Sequence, residues 1–238
     1  MKKYILIFTI LIFIVLSGCR SEEDNYLFQG SVEYDSKNYE KAIEYYSKAI
    51  ELNPTNENAY ISRGKAYCDL KKYDEGFRDF AKALEINPVN EQIYYYRGKA
   101  YLDLKKFDEA ITNYTKALEL NPNFSPAYNN RGNAYHQISK FEEAIKDYTS
   151  SLDLNDDDEN VHFNRGNTYF ELKKYDEAIN DYKIVIQINP QNASAYHNYG
   201  ISYYLKGDCI NALTNWLEAI RLNPAYATEL KSWINKCK

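Results

Sequence analysis

Apolar, small and polar positions recur along this chain with a period of 34 residues, from residue 23 to residue 226. One column holds Gly30, Gly64, Gly98, Gly132, Gly166 and Gly200, and another holds Tyr46, Phe80, Tyr114, Tyr148, Tyr182 and Trp216. A third holds Ala42, Ala110, Ala144, Ala178 and Ala212, with Gly76 in the remaining slot. Asn-Pro closes the units at 53-54, 87-88, 121-122, 189-190 and 223-224, and Asn155-Asp156 fills the gap. A period of this length marks an architecture in which each unit is one supersecondary element stacked on its neighbours. Tyr60, Gly64 and Tyr67 are spaced i, i+4, i+7, as are Ala110, Tyr114 and Ala117, so each set lies along one helical face. Each unit therefore predicts two helices. The Gly and Ala columns let them approach, the aromatic column fills the space between hairpins, and Pro ends the second helix. Most of the 25 tyrosines are thereby assigned to packing.

These columns resemble the tetratricopeptide repeat. The resemblance implies an all-α fold, a right-handed α-solenoid of six helix hairpins whose first helices line a concave groove. The units run 23–56, 57–90, 91–124, 125–158, 159–192 and 193–226. Gly76, Ser151, Val185 and Asp156 depart mildly from the pattern. Residues 227–238 predict a further helix with Leu230, Trp233, Ile234 and Cys237 on one face, the cap that a solenoid's last open face requires.

The first residues read as an address. Lys2 and Lys3 precede an apolar run from Tyr4 to Leu16, a charged n-region and short h-region as in a secretory signal. The run is short for a hydrocarbon core that needs ~20 residues. Leu16-Ser17-Gly18-Cys19 resembles the lipobox of bacterial lipoproteins. That resemblance implies cleavage after residue 18 and acyl chains on Cys19, with residues 19–22 as lipidated cysteine and short tether. Several chains at ~0.8 kcal/mol per buried CH₂ anchor better than one. The expected location is the bacterial cell envelope. Arg20 is not the aspartate that the family links to inner-membrane retention, which favours an outer membrane where there is one.

Charge and composition narrow the partners. The 238 residues carry a net charge of −5, and losing Lys2 and Lys3 with the signal takes it to −7. A protein that grips nucleic-acid phosphates shows a basic excess, so no nucleic-acid partner is expected. With 45% apolar residues the chain can bury a core, and 9 Gly and 6 Pro disfavour loop-rich β folds.

Little in the sequence points to catalysis. His136, His162 and His197 have no Cys or carboxylate at metal-ligand spacing, and no base, nucleophile and orienting group form a set. His162 takes the place of a packing tyrosine, whereas His136 and His197 are expected on the groove. No glycine loop is placed to cradle phosphate, so no metal or cofactor is expected. Asn155–Asn160 reads NDDDEN, but it lacks the alternating ligands, central Gly and distal Glu of a calcium loop. It reads better as an acidic start to the next helix. Arg63, Arg97, Arg131 and Arg165 form a ladder, with Asp79, Asn113, Asp147 and Asp181 sixteen residues on. Units lacking the Arg, at Gln29 and Tyr199, also lack the acid, at Tyr45 and Asn215. This covariation predicts Arg–Asp pairs within hairpins in place of a ligand stripe. Cys209 opens the last repeat's second helix and Cys237 ends the antiparallel cap. Their ends should lie side by side, which predicts a disulfide closing a loop worth ~3.5 kcal/mol in the chain-entropy model. Cys68 remains in a groove-facing column.

The groove columns change character along the chain. The early units place Lys65, Lys99 and Tyr95 there. Units 4 to 6 place Asn129, Asn130, Asn133, Asn164, Asn167 and Asn198, interleaved with His136, Phe163, Phe170, His197 and Tyr204. An Asn amide both donates and accepts, so it can pair with a peptide unit whatever its side chain. Asn130, Asn164 and Asn198 resemble the asparagine ladder of the superhelix of O-linked N-acetylglucosamine transferase. Asn133 and Asn167 fit the asparagine part of the carboxylate clamp of chaperone-binding repeats, whose basic positions here hold Asn129, Ser194 and Asn198. The other reading is that these Asn only face water or cap local structure. The expected function is a non-enzymatic, membrane-tethered interaction scaffold or adaptor that binds an extended segment of another envelope protein. The alternative is a substrate-recruiting or regulatory subunit of an envelope enzyme or assembly machine.

Overall fold

The computed structural model describes residues 21–237. The expected signal segment and Cys19 lie outside the described residues. Among those described, the chain forms thirteen α-helices and no strand. These are α1 (Glu22–Asp35), α2 (Tyr39–Leu52), α3 (Glu57–Asp69), α4 (Tyr73–Ile86), α5 (Glu91–Asp103) and α6 (Phe107–Leu120). There follow α7 (Ser125–Gln137), α8 (Phe141–Leu154), α9 (Glu159–Glu171), α10 (Tyr175–Ile188), α11 (Ala193–Leu205), α12 (Cys209–Leu222) and α13 (Tyr226–Lys236). None is long and apolar enough to cross a membrane.

The first helix of a hairpin is often started by a polar side chain that accepts an otherwise orphaned amide. Ser21 and Asp24 form a capping box on α1. Asn56 accepts from Ala59 N, Asp158 from Asn160 N and Val161 N, and Asn192 from Ala195 N. The acidic run before α9 thus supplies that helix's N-cap. The Asn of each Asn-Pro pair has a separate task, because its Oδ1 accepts the backbone N–H two residues on. This occurs at Asn53, Asn87, Asn121, Asn189 and Asn223. Glu23 and Glu159 then accept from the amides of Asn53 and Asn56 and of Asn189 and Asn192, and Glu57 from Asn90.

The chain divides between Ala100 and Tyr101 into two compact units. The first stacks the hairpins α1/α2 and α3/α4 and most of α5. The second stacks α7/α8, α9/α10 and α11/α12, beginning with α6 and ending with α13. Each aromatic of the 34-residue column is buried. At 46, 80, 148, 182 and 216 the ring lies on the glycine of its own hairpin, and Phe80, Tyr148 and Tyr182 also pack with Ile93, Val161 and Tyr199 of the next hairpin, as the pattern suggested. A β-carbon on Gly132 would come 2.8 Å from Tyr148 Cε1, and one on Gly200 would come 2.4 Å from Trp216 Cδ1. In the first unit Cys68 points back into its hairpin, and a β-carbon on Gly76 would meet its Sγ at 2.5 Å. The glycine that interrupts the alanine column makes room for that thiol.

Helices within a hairpin are joined through a left-handed residue. Lys37, Lys71, Lys105, Ser139 and Lys173 have φ of 57–62°, and Gly207 has φ of 86°. Lys174 N donates to Tyr169 O across the Lys173 turn, closing the helix end. An L side chain in this region costs about 1–2 kcal/mol, which glycine avoids. Lys173→Gly is therefore expected to raise stability by about 1 kcal/mol, read from the midpoint of urea unfolding. An unchanged or lowered midpoint would contradict this view of the turn.

Candidate functional site

Three arginines of the ladder are held internally. Arg63 donates to both carboxylate oxygens of Asp79 at 2.8 and 2.7 Å, Arg131 to Asp147 at 2.7 and 2.8 Å, and Arg165 to Asp181 at 2.9 and 2.8 Å. Their remaining nitrogens donate to Ser47, Thr115 and Thr149 of the preceding hairpin, each at 3.0 Å. A forked guanidinium on a buried carboxylate has its geometry fixed and few donors left for a ligand.

His162 is structural as well. Its Nδ1 lies 2.9 Å from Asp181 Oδ1 and its Nε2 lies 2.9 Å from Asp156 O. Burial opposes the charge on this ring, but the bonds to Asp181 and the Asp156 carbonyl outweigh it and hold the pKa above the ordinary value.

The asparagines of the second unit are joined to one another. Tyr148 hydroxyl donates to Asn133 Oδ1 at 2.8 Å, and Asn164 Nδ2 donates to the same oxygen at 3.0 Å. One repeat on, Tyr182 and Asn198 donate to Asn167 Oδ1 at 2.8 and 2.9 Å. The carbonyl ends of Asn133 and Asn167 are thus saturated, and their Nδ2 groups are the ends left to a ligand. The pairing was not readable from the sequence, since Tyr148 and Tyr182 accompany Asn133 and Asn167 but Tyr46 accompanies Ser31 and Tyr114 accompanies Lys99, while Trp216 accompanies Ile201. Trp216 Nε1, with no acceptor at that position, is buried and unpaired.

Between the first helices of the second unit lies a cavity of about 520 Å³. Asn133, His136, Gln137, Asn164 and Asn167 line it, with Leu102 and Phe107 as apolar wall and Asp103 and Lys105 also on the lining. His136 is half-buried there, its Nδ1 2.9 Å from Thr168 Oγ1 and its ring 5.3 Å from that of Phe141. Burial pushes its pKa down, with Glu171 partly opposing.

Other candidate residues are placed differently. His197 was expected on the groove but is 8% exposed, stacked at 4.5 Å on Tyr226 of α13 and within 3.2 Å of Glu229. Tyr204 packs edge-on against Trp233 at 5.0 Å. The cap covers both, and His197 Nδ1 also engages Asn198 Oδ1 at 2.9 Å. Phe163 and Phe170 pack at 5.9 and 5.7 Å on Tyr182 and Tyr175, which leaves them half-buried beside the core. Asn130 is half-buried, and Asn129 Oδ1 is buried without a hydrogen-bond partner. In the first unit Lys65 sits over the rings of Tyr34 and Tyr96 at 4.8 and 4.6 Å, Tyr95 packs edge-on to Tyr96, and Lys99 is exposed. Cys209 and Cys237 are joined in a disulfide with Cα atoms 5.3 Å apart, tying the end of α13 to the start of α12.

The family model for the TPR repeat matches residues 30–70, 64–105, 98–139, 132–173 and 166–207. The chain belongs to the TPR repeat family. No curated protein matches it in sequence. Among solved structures it is similar to YrrB, described as a TPR protein with an unusual peptide-binding site. The TM-score is 0.69 and the identity 24%, covering 79% of this chain and 96% of that one. PilF of Pseudomonas aeruginosa matches with a TM-score of 0.78 and 22% identity over 88% of this chain and 96% of that one. PilW, described as a widely conserved type IV pilus biogenesis factor, matches with a TM-score of 0.77 and 19% identity over 91% of this chain and all of that one. At these identities the likeness shows the fold.

The two environments give a pH test. His162 should titrate above, and His136 below, the ordinary histidine value of about 6.5, as read from their ring-proton NMR shifts. The stabilisation from His162 is full below its unfolded pKa and fades as pH rises through the higher folded one. That from His136 is present above its unfolded pKa and is lost as pH falls through the lower folded one. The reverse order of titration would contradict both assignments.

Proposed function

We propose that this protein is a non-enzymatic interaction scaffold of the bacterial cell envelope, tethered through lipid on Cys19, which holds an extended polypeptide segment against α7 and α9. The cavity of the second unit carries this reading: its volume of about 520 Å³ is that of a ligand site. Asn133, Gln137, Asn164 and Asn167 make half of its polar lining amide, and amides match the alternating donors and acceptors of a peptide backbone. The networks of Arg63, Arg131, Arg165 and His162 are satisfied internally, whereas Asn133 and Asn167 in this cavity have their carbonyl ends engaged and offer their amide nitrogens. The likeness to YrrB, with its peptide-binding site, and to PilW, a pilus biogenesis factor, fits a partner that is itself a protein.

A steric block tests the site. Gln137 is exposed at the cavity, so Gln137→Trp should fill it without disturbing packing. Crosslinked capture of the native partner from membranes should fall at least about tenfold, a loss of roughly 1.4 kcal/mol, with the thermal midpoint nearly unchanged. Full capture by this variant would place the interaction on another face.

The tether is tested separately. The native chain should partition into detergent, and Cys19→Ala should move it to the aqueous phase. A mature chain that stays aqueous with an unmodified Cys19 thiol would overturn the anchoring.

A further inference from the structure

We propose that the cavity of the second unit reads a main-chain N–H of its peptide ligand through the unprotonated Nε2 of His136, so that acid releases the ligand. This rests on the reading that a polypeptide segment occupies the cavity. The tautomer follows from the neighbours. Thr168 is fully buried, and its hydroxyl donates to Asn164 O at 2.8 Å. That hydroxyl has one proton, so toward His136 Nδ1, 2.9 Å away, its oxygen accepts. The ring proton therefore sits on Nδ1, and Nε2 of the neutral ring carries a lone pair on a residue that lines the cavity. Beside it Asn133, with its Oδ1 taken by Tyr148 and Asn164, offers Nδ2. A peptide unit presents one N–H and one C=O, and here one acceptor and one donor are each held in place by packed partners.

Protonating His136 turns its acceptor into a donor facing the ligand N–H, which exchanges a hydrogen bond for a repulsion. The charged and titratable groups around the ring are Asp103 at the end of α5, Lys105 in the following turn, Tyr148 on α8 and Glu171 on α9. Burial disfavours the imidazolium more than Glu171 favours it, so the ring stays neutral at pH 7.

The test uses the full-length chain in detergent and an array of random dodecapeptides, N-acetylated and C-amidated so that their ends carry no charge. The tightest-binding peptide at pH 7.5 should bind about tenfold more weakly at about one pH unit below the free His136 pKa read by NMR, and methylating one of its backbone nitrogens should cost about as much. His136→Gln keeps an acceptor and should bind at both pH values. His136→Phe should lose about tenfold at pH 7.5, with no further loss on methylation. Equal binding by wild type and His136→Phe, or pH-independent binding by wild type, would overturn the role of His136 and leave the peptide site standing. A long-range ¹H–¹⁵N spectrum placing the neutral proton on Nε2 would overturn it too. Failure of wild type to bind any peptide, or binding indifferent to Gln137→Trp, would overturn the peptide reading itself.

Discussion

The hairpins α1/α2, α3/α4, α7/α8, α9/α10 and α11/α12 each depend on one contact, an aromatic ring from the second helix lying where the first helix lacks a β-carbon. A buried Tyr, Phe or Trp removes ~150–250 Å² from water, worth several kcal/mol gross at ~25 cal/mol per Å². A single hydrogen bond contributes ~1 kcal/mol net. Ring placement therefore sets how closely the helices approach, and the polar groups adjust register around it. Tyr148 and Tyr182 show the two acting together. Their rings rest on Gly132 and Gly166, and that position delivers their hydroxyls to Asn133 and Asn167. Packing in the core thereby orients amides that line the cavity.

The polar columns divide into those turned inward and those left available. The Arg–Asp forks and His162 close their own valences inside the stack. Asn133 and Asn167, which line the cavity, have their carbonyl ends closed, because each oxygen meets two donors. The same geometry in the last repeat ends differently. Ile201 stands where an Asn would be, Trp216 replaces Tyr, and α13 lies over His197 and Tyr204. The amide-lined stretch stops where the cap begins.

Much of this was legible in the sequence where size is the constraint. The glycine column repeats because a β-carbon would collide with the ring laid on it, and both units without the Arg lack the acid, although Arg97 faces Asn113 in sequence. The left-handed turn residues left no trace, since lysine and serine at an exposed turn look like any surface residue. The Asn of each Asn-Pro pair was visible, but its turn-forming bond and its tie to Glu23, Glu57 or Glu159 emerge only when two hairpins stack. His197 was misplaced for a similar reason. It is covered by Tyr226 and Glu229 of the cap, a helix that repeats no earlier unit.

The central claim is that the inner surface of α7 and α9, ordered from beneath by Tyr148 and Tyr182, is where a polypeptide is held. Hydrogen–deuterium exchange on the full chain, with and without its captured native partner, tests this most directly. The account predicts that partner binding slows exchange in α7 and α9 and in the turn at Lys105, and leaves α8 and α10 unchanged. Protection confined to α8, α10 or α12, with α7 and α9 exchanging as in the free chain, would contradict it.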